Sequence, residues 1–252
     1  MGNRYTSNFL TNVIVRVDFP NKLPVEERLP PEVTKIILKS FPISEPKKIL
    51  GKEFKIKSEE SIEVETNELK RTEWSFFGKN REKTLVVAPE ALYISYKEYS
   101  SFEALKSEFM GVVKKIFDNI KDVQVNRIGL RYINEIGLNE PNPTDWTLYL
   151  DERLLSIFDL CEDMSKVARG FSNLILNYGD MMLSFNYGMH NPDMPAPIKK
   201  KVFILDYDAY YQGFLEVGEL EENLVNFHNE IEKMFENNIK DHLRTIMNEQ
   251  GN

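Results

Sequence analysis

Two arginines stand in the middle of apolar, alternating segments, where their side chains are suited to binding chemistry. Arg131 lies within RIGLRYINEIGL (residues 127–138), and Arg16 lies within NFLTNVIVRVDF (residues 8–19). The guanidinium group of arginine is a planar fork that matches a carboxylate or a phosphate group. One hypothesis is therefore that Arg16 and Arg131 together clamp an anionic group.

An ion pair within a sheet is the simpler interpretation of both arginines, and a subunit interface is a third. A cross-strand pair of opposite charges contributes about 0.2–1 kcal/mol to stability. Acidic residues on strands that can neighbour the arginines are Asp18, Glu63, Glu65 and Glu135. The sequence favours structural pairing, and it keeps Arg16 and Arg131 as the candidate ligand- or partner-binding residues.

Alternation along the two segments predicts which face of a sheet each arginine occupies, because successive side chains of a strand point to opposite faces. The more apolar faces should pack against helices. They hold Val13, Val15 and Val17 in one segment and Ile128, Leu130, Tyr132, Asn134, Ile136 and Leu138 in the other. Arg16 and Arg131 then stand on the opposite, open face. We expect Arg131 to lie over Gly129, where no side chain fills the space.

Other residue types that support chemistry are sparse. His228 and His242 lie about four turns apart on one predicted helix, too far to bind one metal ion. His190 reads as an ordinary loop histidine, and the lone Cys161 cannot form an internal disulfide. The sequence contains neither a Walker loop nor a dinucleotide-binding glycine motif. We therefore predict no catalytic residue, no metal site and no cofactor.

The segment DYDAYY (residues 206–211) places Asp206 and Asp208 on one face of a strand, at a separation that suits a glycosidase-type carboxylate pair. An ordinary acidic strand is the favoured interpretation. Aromatic residues are plentiful on the predicted strands, and alternate ones must reach the open face. They suit either base stacking or a dimer interface. The formal net charge of -8 favours the interface, because an acidic protein does not attract phosphate backbones.

The elements that must position these residues follow one order twice. Strand 8–19 and helix 31–41 precede four strands within 47–99 and a long helix at 101–120, opened by a capping box of Ser100 and Glu103. Strand 123–138 and helix 151–160 then precede three strands within 167–211 and a long helix at 217–248. We therefore predict an α+β fold, internally duplicated as β-α-β(4)-α in residues 1–124 and β-α-β(3)-α in residues 125–252.

The two halves most simply fuse into one structural domain. Its antiparallel sheet would carry the long amphipathic helices on one face and leave the other face free. The segment RIGLRYIN, together with YSSFEALKSEF, the EWSFF strand and the closing helix, resembles a sporadically distributed prokaryotic family of similar length without an assigned activity. The resemblance implies a cytoplasmic protein from a patchy, defence- or mobile-element-associated gene neighbourhood. It implies no catalytic residue.

Three functions remain open from the sequence. The leading hypothesis is a cytoplasmic, non-enzymatic protein that binds a protein partner or a second copy of itself through the open sheet face. The alternative is a protein or enzyme that binds a small anionic molecule, in a cavity between sheet and helices or across the junction of the halves. It requires Arg131 inside the cavity and unpaired. The third is single-stranded nucleic-acid binding. No apolar run is long enough to cross a bilayer, so a membrane partner is not expected.

Overall fold

The computed structural model of the chain describes residue 5 and residues 7–56 and 64–249, without the side chains of residues 50–71 and 249. In chain order the elements are β1 (Leu10–Asp18), α1 (Pro31–Ser40), β2 (Ile43–Ile56), β3 (Val64–Phe77), β4 (Lys83–Val87), β5 (Ala91–Tyr96), α2 (Phe102–Asn119), β6 (Val125–Leu138), α3 (Glu152–Leu155), β7 (Gly170–Asn177), β8 (Met182–Met189), β9 (Lys201–Leu215), α4 (Val217–Asn238) and α5 (Asp241–Glu249). The predicted mixed α and β composition and the predicted antiparallel sheet are confirmed.

All nine described strands belong to one open antiparallel sheet in the order β2-β3-β4-β5-β1-β6-β9-β8-β7. The two halves of the chain meet in the middle, where β1 pairs with β6 in a register that sets Val15 opposite Leu130. One continuous sheet therefore carries both arginine strands side by side. Glu63 lies outside the described residues, and the side chain of Glu65 does too.

The predicted alternation of β1 and β6 is confirmed by burial. Val13, Val15 and Val17 are fully buried, whereas Arg16 between them is exposed. Of the predicted face of β6, the residues Ile128, Leu130, Tyr132, Asn134 and Ile136 are buried, and Leu138 is half-buried. Apart from the polar Asn134, the buried members form one apolar cluster with the buried residues of α2 and α4. Apolar burial of this kind is the main stabilising contribution in a chain of this size.

Contacts between rings locate the two long helices against the buried side of the sheet. Phe235 of α4 contacts Tyr207 of β9 with ring centroids 6.5 Å apart. His228 of α4 contacts Tyr132 of β6 at 6.0 Å, and Phe102 of α2 stacks on His228 at 4.1 Å. Tyr132 and Tyr207 face each other across β6 and β9, so α4 contacts the face that is opposite to Arg16. On α2, Glu108 accepts from the hydroxyl of Tyr96, which pairs with Val13.

The first turn of α2 differs from the prediction by one residue. Ser101, not Ser100, is the N-cap, and its side chain accepts a hydrogen bond from the backbone N–H of Ala104 at 3.2 Å. A serine at this position satisfies one of the free N–H groups at the start of a helix. The one-residue difference places Phe102 and Glu103 in the first turn, where both reach the space between α2 and α4.

The predicted helix at 217–248 is two helices, because tertiary contacts interrupt it at Ile239. The backbone of Ile239 is extended and bridges to Leu150 in the loop that precedes α3. The backbone N–H of Asp151 donates to the carbonyl of Asn238 at 3.0 Å, and that of Lys240 donates to the carbonyl of Tyr149 at 2.8 Å. This bridge takes the hydrogen bonds that a continuous helix would need.

The predicted helix at 151–160 is α-helical only over Glu152–Leu155, and a 3-10 turn continues it from Ser156 to Leu160. Asp151 caps this short helix by accepting from the backbone N–H of Arg153.

None of the described helices combines the length and the apolar character that crossing a membrane requires.

Candidate ligand-binding site

Arg131 lies on the open face of the sheet, as expected, and its guanidinium group is held by a carboxylate of the neighbouring strand. Its Nε and Nη2 atoms donate to the two oxygens of Asp206, each at 2.7 Å. The Asp206 side chain is only 9% exposed, whereas that of Arg131 is 40% exposed. The hydrogen bonds to Asp206 raise the pKa of Arg131 above its usual range. The fork of Arg131 is therefore already occupied by the protein itself.

Arg16 occupies the same face and pairs with Asp18 of its own strand, with Nε donating to Oδ1 at 2.7 Å. Arg127 joins the two halves of the network, because it lies 3.6 Å from Asp18 and 3.8 Å from Asp208. The expectation that Arg131 lies over Gly129 is wrong. A side chain at Gly129 would meet the guanidinium of Arg127 at 3.2 Å, so Arg127 fills the space.

Charges within this network balance, because three arginines alternate with three aspartates (Arg16, Arg127, Arg131, Asp18, Asp206 and Asp208). Burial raises the pKa of Asp208. The acidic pair of DYDAYY thus supplies the partners of the arginine strand. The sequence favoured ion pairs of this kind, but of the partners seen here it named only Asp18 and not Asp206 or Asp208. Ligand or partner binding by Arg16 and Arg131 stays a prediction.

A cleft of about 610 Å³ opens on the other side of the sheet, where β1, β6, α2, α4 and α5 converge. Its described lining consists of Tyr5, Asn8, Leu10, Tyr99, Ser100, Ser101, Phe102, Glu103, Tyr132, Asn134, His228, Ile231, Glu232, Phe235, Glu236 and Met247. Pockets for small molecules have volumes of about 300–1,000 Å³ and combine apolar walls with a few polar groups. The position is between sheet and helices at the junction of the two halves.

Rings and hydroxyl groups at the back of the cleft form a connected network. The imidazole of His228 lies nearly parallel to Phe102, at 10°. The Tyr132 hydroxyl lies 3.2 Å from Nδ1 of His228 and 3.0 Å from the Tyr99 hydroxyl. Burial raises the pKa of Tyr132 well above its ordinary value and lowers that of His228. Both groups are therefore neutral near pH 7, with Tyr132 able to donate to Nδ1 of His228.

Three glutamates give the cleft its charge. Glu236 is held by two neighbours, since the Tyr5 hydroxyl donates to Oε1 at 2.7 Å and Arg244 Nε donates to Oε2 at 3.0 Å. Burial first, and then the charges of Glu236 and Glu103, raise the pKa of Glu232. The charge of Glu103 also acts on His228. The carboxylates are thus close enough to affect one another, which indicates a negative potential inside the cleft.

The positions of these side chains follow from helix geometry. His228, Glu232 and Glu236 are spaced four residues apart on α4 and therefore lie on one face of the helix, beside Ile231 and Phe235. The sequence prediction for this helix rested on its apolar members alone. A row of polar residues beside an apolar stripe is common to amphipathic helices, so the sequence carries no specific signal for the cleft.

A second aromatic cluster holds a charged group of the chain itself. Lys201 is 3% exposed. Its Nζ lies 4.6 Å from the ring centre of Tyr149 and 5.2 Å from that of Trp146. The same ammonium donates to Oε2 of Glu140 at 2.6 Å, and this bond lowers the pKa of Glu140. Two rings and one carboxylate thus hold an ammonium group in this protein.

Comparison with known proteins gives no relative: no protein-family model, no curated protein and no solved structure matches the chain. The chemistry of the site therefore rests on its own residues. Among the residues that the structure describes, no group of three or more histidine, cysteine, aspartate or glutamate side chains is arranged to hold a metal ion. What the cleft offers is ring faces, carboxylates and neutral hydrogen-bonding groups.

Proposed function

We propose that this protein binds a small molecule in the cleft between the sheet and the helices α2, α4 and α5. The observation that carries the proposal is the cleft itself, with its volume of about 610 Å³ and its mixed lining of rings and polar groups. A cavity of this kind is the usual site of ligand binding in a globular protein. The proposal is one of binding and assigns no reaction.

The buried polar groups around the cleft support the proposal. Tyr132 and Asn134 are 6% and 4% exposed, although both lie on the face of β6 that is otherwise apolar. A buried polar side chain costs stability unless it is hydrogen-bonded. Tyr132 meets this condition through Tyr99 and His228, and the amide of Asn134 donates to the carbonyl oxygen of Leu205 at 3.4 Å. Both side chains therefore place polar groups in the wall of the cleft, where a ligand can use their remaining donors and acceptors.

The position agrees with the alternative hypothesis from the sequence, but the residues differ. That hypothesis required Arg131 inside the cavity and unpaired, whereas Arg131 lies on the opposite face and pairs with Asp206. The site therefore depends on α4 and the first turn of α2, and the arginine strand contributes Tyr132 and Asn134 from its other face.

Filling the cleft tests this function. Ser100 is exposed and lines the cleft, whereas Ser107 is exposed on α2 and does not. A tryptophan at each position gives a matched pair, Ser100→Trp and Ser107→Trp. Saturation-transfer NMR with a mixture of small aromatic and aliphatic compounds should show saturable binding to the wild type and to Ser107→Trp, and weaker binding to Ser100→Trp. Equal binding by both variants would place the binding elsewhere and refute the proposal.

We also propose, as a second function, that the open face binds a protein partner or a second copy of the chain. The supporting observation is apolar exposure on that face: Ile175 is 56% exposed and Phe171 is 40% exposed. The paired strands set Ile175 in one row with Ser184, Asp208 and Arg131.

Sedimentation across a concentration series tests this second function through self-association. Ile175→Lys should abolish it, and Leu148→Lys, at a loop residue that is 62% exposed, should not. Two results together would contradict this second function. The protein would be a monomer at all concentrations, and no partner protein would bind the wild type while failing to bind Ile175→Lys.

An internal duplication is a further part of the proposal, and the strand register supports it. The same offset of 115 residues relates Arg131 to Arg16 (131 − 16) and their partners Asp208 to Tyr93 (208 − 93). The strand pairs β1–β5 and β6–β9 are therefore equivalent under one shift in numbering. We propose that residues 1–124 and 125–252 are two copies of one unit, fused through β1 and β6.

A further inference from the structure

We infer that the ligand of the cleft is an organic cation, an ammonium group carried on an apolar body. The inference rests on the proposed function, because it assigns a ligand class to the same site. It contradicts the sequence-based alternative of an anionic ligand. The charges of the lining, the arrangement of its rings and the internal ammonium site at Lys201 each support it.

The charge of the described lining is negative throughout. Glu103, Glu232 and Glu236 line the cleft, and no described lining residue is a lysine or an arginine. Of these three glutamates, Glu236 pairs with Arg244, which also pairs with Asp241 outside the lining. An anionic ligand would add to the electrostatic repulsion that already acts between these carboxylates, whereas a cationic ligand would reduce that repulsion. Phosphate and carboxylate ligands are therefore disfavoured here.

Aromatic rings supply the second part of the recognition. Tyr5, Tyr99, Tyr132 and Phe235 line the cleft. Phe102 also lines it, with its ring stacked on His228 and the ammonium of Lys106 5.7 Å from its centre. The face of an aromatic ring carries a negative quadrupole that attracts a cation within about 6 Å, with a contribution of about 0.5–2 kcal/mol. Rings together with carboxylates suit an ammonium group better than either does alone, because the rings also pack against the apolar body of the ligand.

The environment of Lys201 shows the same chemistry in this chain. Its ammonium is held by the rings of Trp146 and Tyr149 and by the carboxylate of Glu140. The cleft repeats this combination of rings and carboxylates around open space. No described side chain of the lining supplies the cation. An ammonium group of a ligand fits there as that of Lys201 fits in its own site.

A metal ion is a poorer occupant than an organic cation. The described acidic and histidine side chains form no group that can hold a metal. Hard cations need several oxygen ligands at about 2.0–2.6 Å. The apolar part of the wall (Leu10, Ile231 and Met247) offers nothing to a metal ion, but it matches the carbon body of an organic cation.

Matched probes separate charge from shape. Choline and 3,3-dimethylbutan-1-ol share one shape, and the first carries a positive nitrogen where the second has a neutral carbon. The pair 2-phenylethylammonium and 2-phenylethanol makes the same comparison for a primary amine. In NMR titrations of the intact protein, we expect at least one of the two cations to bind at least about tenfold more tightly than its neutral partner.

The carboxylates provide the matched variants. The double variant Glu103→Gln/Glu232→Gln keeps the volume of the cleft and removes two charges. The control Glu222→Gln removes a charge from an exposed position on α4 that does not line the cleft. We expect the preference for the cation over its neutral partner to disappear in the double variant and to persist in the control.

The outcomes distinguish the ligand class from the function. Equal binding of cation and neutral partner within both pairs would overturn the cation inference and leave the cleft as a binding site. Failure of both cations to bind, in a protein whose cleft binds other small molecules, would overturn it as well. If Ser100→Trp does not weaken the binding of any small molecule, the proposed function itself is refuted.

Discussion

The pair of Arg131 and Asp206 should stabilise the fold far more than the pair of Arg16 and Asp18, although both lie on one face. The perturbation is Arg131→Met, which keeps the apolar stem and removes the guanidinium. It breaks two hydrogen bonds of 2.7 Å and leaves the carboxylate of Asp206, which is 9% exposed, without its main partner. The matched control is Arg16→Met on the neighbouring strand.

The expected magnitude follows from the exposure of each partner. Removing one member of a fully buried ion pair costs about 3–5 kcal/mol, because an uncompensated charge remains. Arg131 is 40% exposed, and water can reach the carboxylate once the guanidinium is gone, so we expect Arg131→Met to cost about 2 kcal/mol. Arg16 and Asp18 are 47% and 20% exposed, and an exposed pair contributes at most about 1 kcal/mol.

A double-mutant cycle isolates the interaction. Urea unfolding of the wild type, Arg131→Met, Asp206→Asn and the double variant should give a coupling free energy of about 1–2 kcal/mol, with unchanged m values. The double variant should be no less stable than Arg131→Met, since no unpaired buried charge remains in it. The corresponding cycle for Arg16 and Asp18 should give less than about 0.5 kcal/mol.

The result that refutes this reasoning is an equal cost for Arg131→Met and Arg16→Met. A coupling free energy near zero for Arg131 and Asp206 would refute it too. The second result would mean that the position of the Arg131 guanidinium does not depend on Asp206, so that it could bind another group. The original clamp hypothesis would then regain its support.

Three further predictions concern other parts of the fold. Gly188→Ala should destabilise the protein by about 2–4 kcal/mol in urea unfolding. The reason is that the φ angle of Gly188 is +155° and that an added Cβ would lie 2.0 Å from the carbonyl oxygen of Gly170. A loss of stability below about 1 kcal/mol would contradict the β7–β8 register. Gly137→Ala, which has open space around it, should stabilise the protein by about 0.5 kcal/mol, and a clear loss of stability would contradict the exposed end of β6. Burial lowers the pKa of His228 below 6.5, so its NMR titration midpoint should lie below that value, and the signal should vanish in His228→Gln. As pH falls, the imidazole of His228 is protonated in the unfolded chain before it is protonated in the folded protein. His228 should therefore reduce the free energy of unfolding from about pH 6.5 downward. A titration midpoint above 6.5 would contradict the burial of His228.

The sequence was a good guide where local periodicity decides structure. Alternation along residues 8–19 and 127–138 predicts two strands and their buried faces, because a strand exposes every second side chain to one side. The apolar stripes of α2 and α4 indicate helices for the same kind of reason. These local rules are enough to give a mixed fold with an antiparallel sheet.

Features that depend on distant parts of the chain were harder to predict. The partner of Arg131 is Asp206, which is 75 residues away, and it is chosen by the pairing of β6 with β9. The break at Ile239 depends on its bridge to Leu150. No local pattern of either segment carries that information, because strand pairing and loop contacts are set by the whole fold.

The cleft is the clearest case of such a feature. Five elements meet there, and each contributes only a few lining residues. In the sequence, the other histidine of the same predicted helix is His242, whereas the neighbours of His228 in the structure are Phe102 and Tyr132. The spacing of His228, Glu232 and Glu236 was visible in the sequence, but the space in front of it forms only when α2 and β6 are in place.

Native mass spectrometry of the protein, purified gently from its own host, tests most directly whether the cleft holds a small molecule. The wild type and Ser107→Trp should each carry an additional mass that is lost on denaturation, and Ser100→Trp should carry it at reduced occupancy. The mass should correspond to a molecule with a basic nitrogen. The account would be contradicted if none of the three proteins lost an additional mass on denaturation. It would also be contradicted if the bound molecule had equal occupancy in both tryptophan variants.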